Sequence, residues 1–213
     1  MLFNRESLKL YAITDSKYSL GNENLFFRQV EDALAGGATS LQLREKSLEK
    51  SRFLERAQKL KNICQKFKVP LIINDDVDIA KKIDADGVHI GQDDMSIIEA
   101  KEILGNKKII GVSVFNAKEA FEAESRGASY LGVGSIFKTI SKPDAKMVKI
   151  SDLKEICKIV KIPVVAIGGI NKDNILKLRN SGVSGVALIR AIFSSRNIKE
   201  ETEKLRKFVE LVL

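Results

Sequence analysis

Residues 70–94, PLIINDDVDIAKKIDADGVHIGQDD, hold one pattern twice. A short apolar run, Pro70 to Asn74, ends in Asn74-Asp75-Asp76, and a helical pattern follows over Val77 to Ile83. Ala85-Asp86-Gly87 turns the chain, and a second run, Gly87 to Ile90, ends in Gly91-Gln92-Asp93-Asp94. Runs this short and this apolar read as buried strands, and strands alternating with helical patterns read as βα units of a parallel sheet. Polar residues massed where the runs end therefore line a surface that several strand ends share.

The pattern extends in both directions. Further strand-like runs lie at Leu8 to Thr14, Ser40 to Arg44, Lys108 to Val114, Tyr130 to Ile136, Pro163 to Ile167 and Gly185 to Ile189. Helical patterns lie at Glu23 to Ala35, Leu48 to Phe67, Ser96 to Leu104, Ala117 to Arg126, Ser151 to Val160, Lys172 to Asn180 and Ile198 to Leu213. Eight βα units in 213 residues, without strong reversal points, predict an α/β chain folded as one (β/α)8 TIM barrel domain over residues 1–213. A doubly wound open sheet is the alternative. Gly36-Gly37, Gly87, Gly127 and Gly182 follow helix patterns and read as αβ-turn glycines. Gly132, Gly134, Gly168 and Gly169 lie in or just after strands, where close approach to a ligand or to the barrel interior is expected. The strand-exit loops Asp15 to Asn24 and Phe137 to Val148 are candidate lids.

Composition narrows the function classes. A 44% hydrophobic content supports one sizeable core. Cys64 and Cys157 sit inside helical patterns without metal or redox spacing, as packed free thiols of a reducing compartment. Met1 to Leu10 has no apolar signal core, and no apolar run approaches the ~20 residues of a membrane span. A cytoplasmic protein without membrane attachment is expected. The net charge of +8 raises nucleic acid as a partner, but the basic residues are dispersed among glutamates on helices, as on solvated faces. No nucleic-acid partner is expected.

In a (β/α)8 barrel the strand C-termini converge on one face, which brings Asp75 and Asp94 to adjacent exits. Two carboxylates, completed by substrate oxygens and water, make a Mg2+ site. Asp76 and Asp93 are expected to cap the helices that follow. His89, among apolar residues, reads as packed or hydrogen-bonded in the core, and no Ser/His/Asp arrangement suggests a nucleophile.

Taken together, Gln42-Leu43-Arg44-Glu45-Lys46, Asn74-Asp75-Asp76-Val77, Asp86 to Asp94, and Gly132-Val133-Gly134-Ser135-Ile136-Phe137 with Thr139, Lys142 and Asp144-Ala145 resemble thiamine-phosphate synthases. The likeness runs from Tyr11 to Phe193. It implies a transferase that joins 4-amino-2-methyl-5-(diphosphooxymethyl)pyrimidine to 4-methyl-5-(2-phosphoethyl)thiazole, or its 2-carboxy form, and releases diphosphate. By the same resemblance Gln42, Leu43, Arg44, Glu45, Lys46, Asn74, Ser113 and Lys142 contact the pyrimidine diphosphate. Asp75 and Asp94 hold Mg2+, and Thr139, Ile140, Ser141, Gly169, Ile189 and Arg190 take the thiazole phosphate. The implied route is dissociative, with the diphosphate leaving before the thiazole nitrogen attacks; Arg44, Lys46, Ser113 and Lys142 are the groups expected to act on it. The chain departs from the pattern at Ser135, where proline is common, at Ile140-Ser141, which replace two threonines, and at Arg190, which replaces a small hydroxyl residue. A related tautomerase, which needs a histidine at the Ser135 position, and a catalytically silent basic module are the other readings.

Overall fold

The computed structural model describes residues 5–141 and 145–213. Its eight strands are β1 (Leu10–Ile13), β2 (Ser40–Leu43), β3 (Leu71–Asn74), β4 (Gly87–Ile90), β5 (Ile109–Val114), β6 (Tyr130–Val133), β7 (Val164–Ile167) and β8 (Gly185–Leu188). All pair in parallel in chain order, and β8 pairs back onto β1. The sheet is thus a closed barrel rather than the open doubly wound alternative. The helices α1 (Glu23–Ala35), α2 (Lys50–Phe67), α3 (Val77–Lys82), α4 (Ile97–Leu104), α5 (Ala117–Ser125) and α6 (Ile150–Ile159) fill the connections, and α7 (Arg190–Phe193) and α8 (Ile198–Glu210) follow β8. Among the described residues no helix is long and apolar enough to cross a membrane.

Short polar side chains start these helices. Asn22, Asp76, Asn116 and Asn197 each accept a backbone N–H of the first turn, a contact usually worth ~1 kcal/mol. Asp76 therefore caps as expected. Asp93 does not: α4 begins later, at a capping box in which Ser96 accepts from Glu99 N and Glu99 accepts from Ser96 N. The helix expected over Lys172 to Asn180 reduces to a 3-10 turn, Ile175–Leu178. The asparagines there are engaged elsewhere: Asn174 Nδ2 donates to the Gly169 carbonyl at 2.9 Å and Asn174 Oδ1 accepts from Asn171 N. Side chains that bond the preceding loop compete with helix formation.

Period-2 alternation sorts the strand residues into two layers. Leu41, Leu43, Leu71, Ile73, Val88, Ile90, Val112 and Leu131 face outward and pack with the helices. Tyr11, Ile13, Ile72, Ile109, Tyr130, Val165 and Ala187 fill the barrel interior. Two tyrosines fit there because of small neighbours. A Cβ at Gly111 would fall inside the Tyr130 ring. Gly87, expected in a turn, belongs to β4, where a Cβ would strike Ile109; Gly37, with φ 97°, does serve its turn.

The Gly111–Tyr130 contact makes a prediction. Gly111→Ala should destabilise the fold by about 1–3 kcal/mol through overpacking, read as a lower urea midpoint; an unchanged midpoint would mean that the Tyr130 ring does not occupy this space.

Candidate active site

The inward residues rise toward the C-terminal strand ends and open into a cavity of about 890 Å³, within the usual range for small-ligand sites. Its lining includes Gln42, Arg44, Lys46, Asn74, Asp75, Asp94, Ser113, Thr139, Ile140, Ser141, Gly169, Ile189 and Arg190. Fold convergence thus brings most of the sequence-predicted site together. Lys142 lies outside the described residues.

Leu43 and Glu45 stand apart from this lining. Strand alternation continues past the end of β2, so Gln42, Arg44 and Lys46 face the cavity while the residues between them turn away. Leu43 is fully buried against the helices. The Glu45 side chain, only 2% exposed, meets Arg56 of α2 at 2.5 Å, and Glu23 of α1 takes the other arm of the same guanidinium. Burial works against the Arg56 charge, but the hydrogen bonds that it donates to Glu23 and Glu45 outweigh it and hold the pKa above its ordinary value. Glu45 thereby ties the loop that carries Arg44 and Lys46 to the helix layer. Arg44 N is held as well, donating to the buried Thr14 Oγ1 at 3.0 Å.

At the β3 exit, Asp75 breaks the alternation. Its φ of 63° lies in the left-handed region, which costs a non-glycine residue ~1–2 kcal/mol. A hydrogen bond from Asp75 N to the His89 carbonyl, at 2.9 Å, secures the turn across to β4. Asp94 is fixed from the other side, Oδ2 accepting Gly91 N–H at 2.7 Å. The Asp94 carboxyl lies beside that of Asp75. Burial first, then the Asp94 contact and its charge, push the Asp75 pKa up to about 6, while Lys46 and Asn74 pull it down. Among the described residues no group of three or more His, Cys, Asp or Glu could hold a metal ion. Two carboxyls brought together at adjacent strand exits, beside open space, fit a hard dication whose other ligands are water and substrate oxygen.

The opposite rim is built by the exits of β6, β7 and β8. Gly168 and Gly169 take φ of 99° and 64°, and a Cβ at Gly169 would meet the Phe137 and Lys138 carbonyls at 2.6 and 2.5 Å. The close approach expected at these glycines is therefore to the β6 exit loop. Ser135 braces that loop: its N–H donates to Lys146 O at 2.9 Å and its Oγ to Phe137 O at 2.7 Å. Proline could not supply that N–H. The short helix α7 begins directly after β8, and Arg190 opens it. Loops after the seventh and eighth strands together with a short extra helix are where barrels commonly hold phosphate. Arg190 forms no ion pair among the described residues.

The floor holds residues outside the expected set of site residues. Tyr11, Tyr130 and His89 line the cavity from below. His89 bonds Tyr130 through Nδ1 and Ser113 through Nε2, each at 2.9 Å, which bears out its reading as a hydrogen-bonded core residue. Burial pushes its pKa down to about 4, with the Asp94 charge acting the other way. Burial also pushes the Tyr11 and Tyr130 phenols above their ordinary range. Cys64 and Cys157 are free, and burial raises both thiols, Cys157 to about 11. Neither is a thiolate near neutral pH.

Fold and site define a (β/α)8 enzyme whose one mouth sets an acidic pair beside fixed cations. The profile of the thiamine monophosphate synthase family matches residues 10–192. The thiamine-phosphate synthase of Clostridium acetobutylicum is 49% identical over 95% of each chain, and that of Pyrococcus furiosus 44% identical over 98% of each. The solved thiamine phosphate pyrophosphorylase of Pyrococcus furiosus superposes with a TM-score of 0.89 at 43% identity, covering 98% of both chains. The chain belongs to the thiamine monophosphate synthase family. A 3-hexulose-6-phosphate synthase, at 17% identity and a TM-score of 0.69, shares the fold alone.

The raised Asp75 pKa has a consequence for stability. The folded chain keeps a proton that the unfolded chain releases between the ordinary carboxylate range and about pH 6, so this group's contribution to stability falls as pH rises through that window. In chelator, Asp75→Asn should melt higher than the wild type above pH 6, and the gain should vanish near pH 4. A melting difference independent of pH would assign the effect to another group.

Proposed function

We propose that the chain works as a thiamine-phosphate synthase, a transferase of thiamine biosynthesis that joins 4-amino-2-methyl-5-(diphosphooxymethyl)pyrimidine to 4-methyl-5-(2-phosphoethyl)thiazole, or its 2-carboxy form. The products are thiamine phosphate and diphosphate. The observation that carries this reading is the convergence of Arg44 and Lys46 from β2 with the Asp75–Asp94 pair from β3 and β4 in one cavity.

Asp75 and Asp94 would hold Mg2+, which would supply positive charge to the diphosphate as it departs. Arg44 grips diphosphate oxygens with its planar fork, and Lys46 adds a point charge next to Asp75. Ser113 and Asn74 supply hydrogen bonds, Gln42 meets the pyrimidine side from the floor, and Lys142, outside the described residues, is the further cation assigned to the diphosphate. Fixed positive charge aimed at a departing anion favours a dissociative step. No cysteine is in the described lining, and the imidazole of His89 is engaged at both ring nitrogens. Thr139, Ile140, Ser141, Gly169 and Ile189 form the thiazole-phosphate end, and Arg190 adds a guanidinium there. Ser135 offers no acid–base group of the kind a tautomerase needs.

The chain acts in the cytoplasm on small molecules, without a nucleic-acid partner. In support, helix-surface cations pair with glutamates on their own helices, as in Lys118–Glu122, Lys204–Glu200 and Arg206–Glu210. Such pairs describe a solvated face.

The direct assay mixes both substrates with Mg2+ and looks for thiamine phosphate by mass spectrometry; its absence at any metal concentration would end this reading. Asp94→Ala should lower kcat by ~10²-fold, about 2.7 kcal/mol of transition-state stabilisation. Arg190→Ser should raise the thiazole-phosphate KM by ~10-fold and leave the pyrimidine KM nearly unchanged. Unchanged constants for both substrates would place Arg190 outside the site.

A further inference from the structure

Five side chains from five strands form one continuous hydrogen-bonded line across the barrel floor. Gln42 Nε2 donates to Tyr11 Oη at 2.9 Å, and the Tyr11 and Tyr130 hydroxyls lie 2.9 Å apart. Tyr130 Oη lies 2.9 Å from His89 Nδ1, and His89 Nε2 lies 2.9 Å from Ser113 Oγ. The line starts at a buried amide and ends at a hydroxyl that lines the cavity.

Its proton order follows from the Gln42 end. A phenol has one proton to give. Tyr11 accepts from the amide; the order in which each phenol then gives its one proton along the line has Tyr11 donating to Tyr130 and Tyr130 donating to Nδ1. A neutral imidazole that accepts at Nδ1 carries its proton on Nε2. Nε2–H therefore donates to Ser113 Oγ, and the Ser113 proton is directed away from the floor into the cavity. Gln92 Nε2 donates to the Ser113 carbonyl at 2.6 Å and so holds the backbone that carries this hydroxyl.

The Ser113–His89 pair has the spacing of a nucleophile and its base, yet the bond runs from histidine to serine. A serine arranged in this way is a poor nucleophile and an obligatory donor. The reverse order would turn an oxygen lone pair toward an incoming anion.

We propose that His89 is a positioning residue: the line Gln42–Tyr11–Tyr130–His89 holds it in the Nε2–H form, so that the Ser113 hydroxyl is a fixed hydrogen-bond donor to an anionic oxygen of the pyrimidine diphosphate. The substrate in this statement rests on the function proposed above, whereas the proton order does not. His89 takes no proton during turnover and touches no reacting atom. Tyr130 and Tyr11 act one and two links further back.

His89 is the only histidine of the chain, so the tag-free protein labelled with 15N-histidine reports one imidazole in a long-range proton–nitrogen spectrum. The expected result is Nε2–H in the wild type at neutral pH, with a measurable share of Nδ1–H appearing in Tyr130→Phe. An Nδ1–H ring or an imidazolium in the wild type would overturn the proposal. This readout needs no substrate, so it stands or falls separately from the activity assay. In kinetics, Tyr130→Phe should lower kcat by ~10-fold without moving the thiazole KM. That effect should disappear in a Ser113→Ala background. An equal loss in both backgrounds would show a purely structural role and reject the positioning one. Should Tyr130→Phe melt too low to assay, Tyr11→Phe breaks the line one link earlier and must show the same dependence on Ser113.

Discussion

The interior of the barrel has to be filled, and in this chain it is filled by a polar line as well as by aliphatic side chains. Barrel interiors are ordinarily dominated by branched apolar residues. Here Tyr11 and Tyr130 meet edge to face, with ring centroids 5.9 Å apart, and His89 lies 5.5 Å from the Tyr130 ring. Each buried polar atom on that line finds a partner on another strand, as a low-dielectric interior demands. The arrangement constrains the strands around it. Gly111 leaves room for the phenol, and Gly132 leaves a Cβ-sized space 3.0 Å from His89 Cε1. The floor of the cavity, the packing of the barrel and the orientation of Ser113 are thus set by the same contacts.

Above the floor, charge is distributed by strand. Cations come from the β2 exit and acids from the β3 and β4 exits, and both groups are anchored away from the cavity. Glu45 and Glu23 hold Arg56 between the helices and steady the loop of Arg44 and Lys46. Removing one partner of such a buried set leaves an uncompensated charge, which commonly costs about 3–5 kcal/mol. The backbone of Asp75 is tied to His89, so the acidic pair and the polar line are joined through one residue of β4. A shift of the floor would move the mouth.

Much of this was legible in the sequence, because a buried strand leaves a short apolar run and a polar exit. The eight runs and their βα order predict the closed barrel, and the acidic exits predict the Asp75–Asp94 pair. What escaped did so for physical reasons. Residues 42–46 read as one motif, but alternation sends Leu43 and Glu45 outward, a signal already present in the strand period. Tyr11 and Tyr130 sit inside apolar runs and look like packing, since hydrogen bonding across five strands has no local signature. The left-handed turn at Asp75 is hidden because aspartate tolerates it without a glycine to mark the place. The helix expected over Lys172 to Asn180 gave way because Asn174 holds the Gly169 carbonyl. The four-residue helix α7 is too short to leave a period.

The central claim is that the exits of β2, β3 and β4 form one site for a metal-bound diphosphate. Calorimetric titration of the chain with inorganic diphosphate in Mg2+ tests it most directly. One binding event is expected, weakened by at least ~10-fold, about 1.4 kcal/mol, in chelator, in Asp94→Asn and in Arg44→Ala. Equal affinity in all four conditions would contradict it.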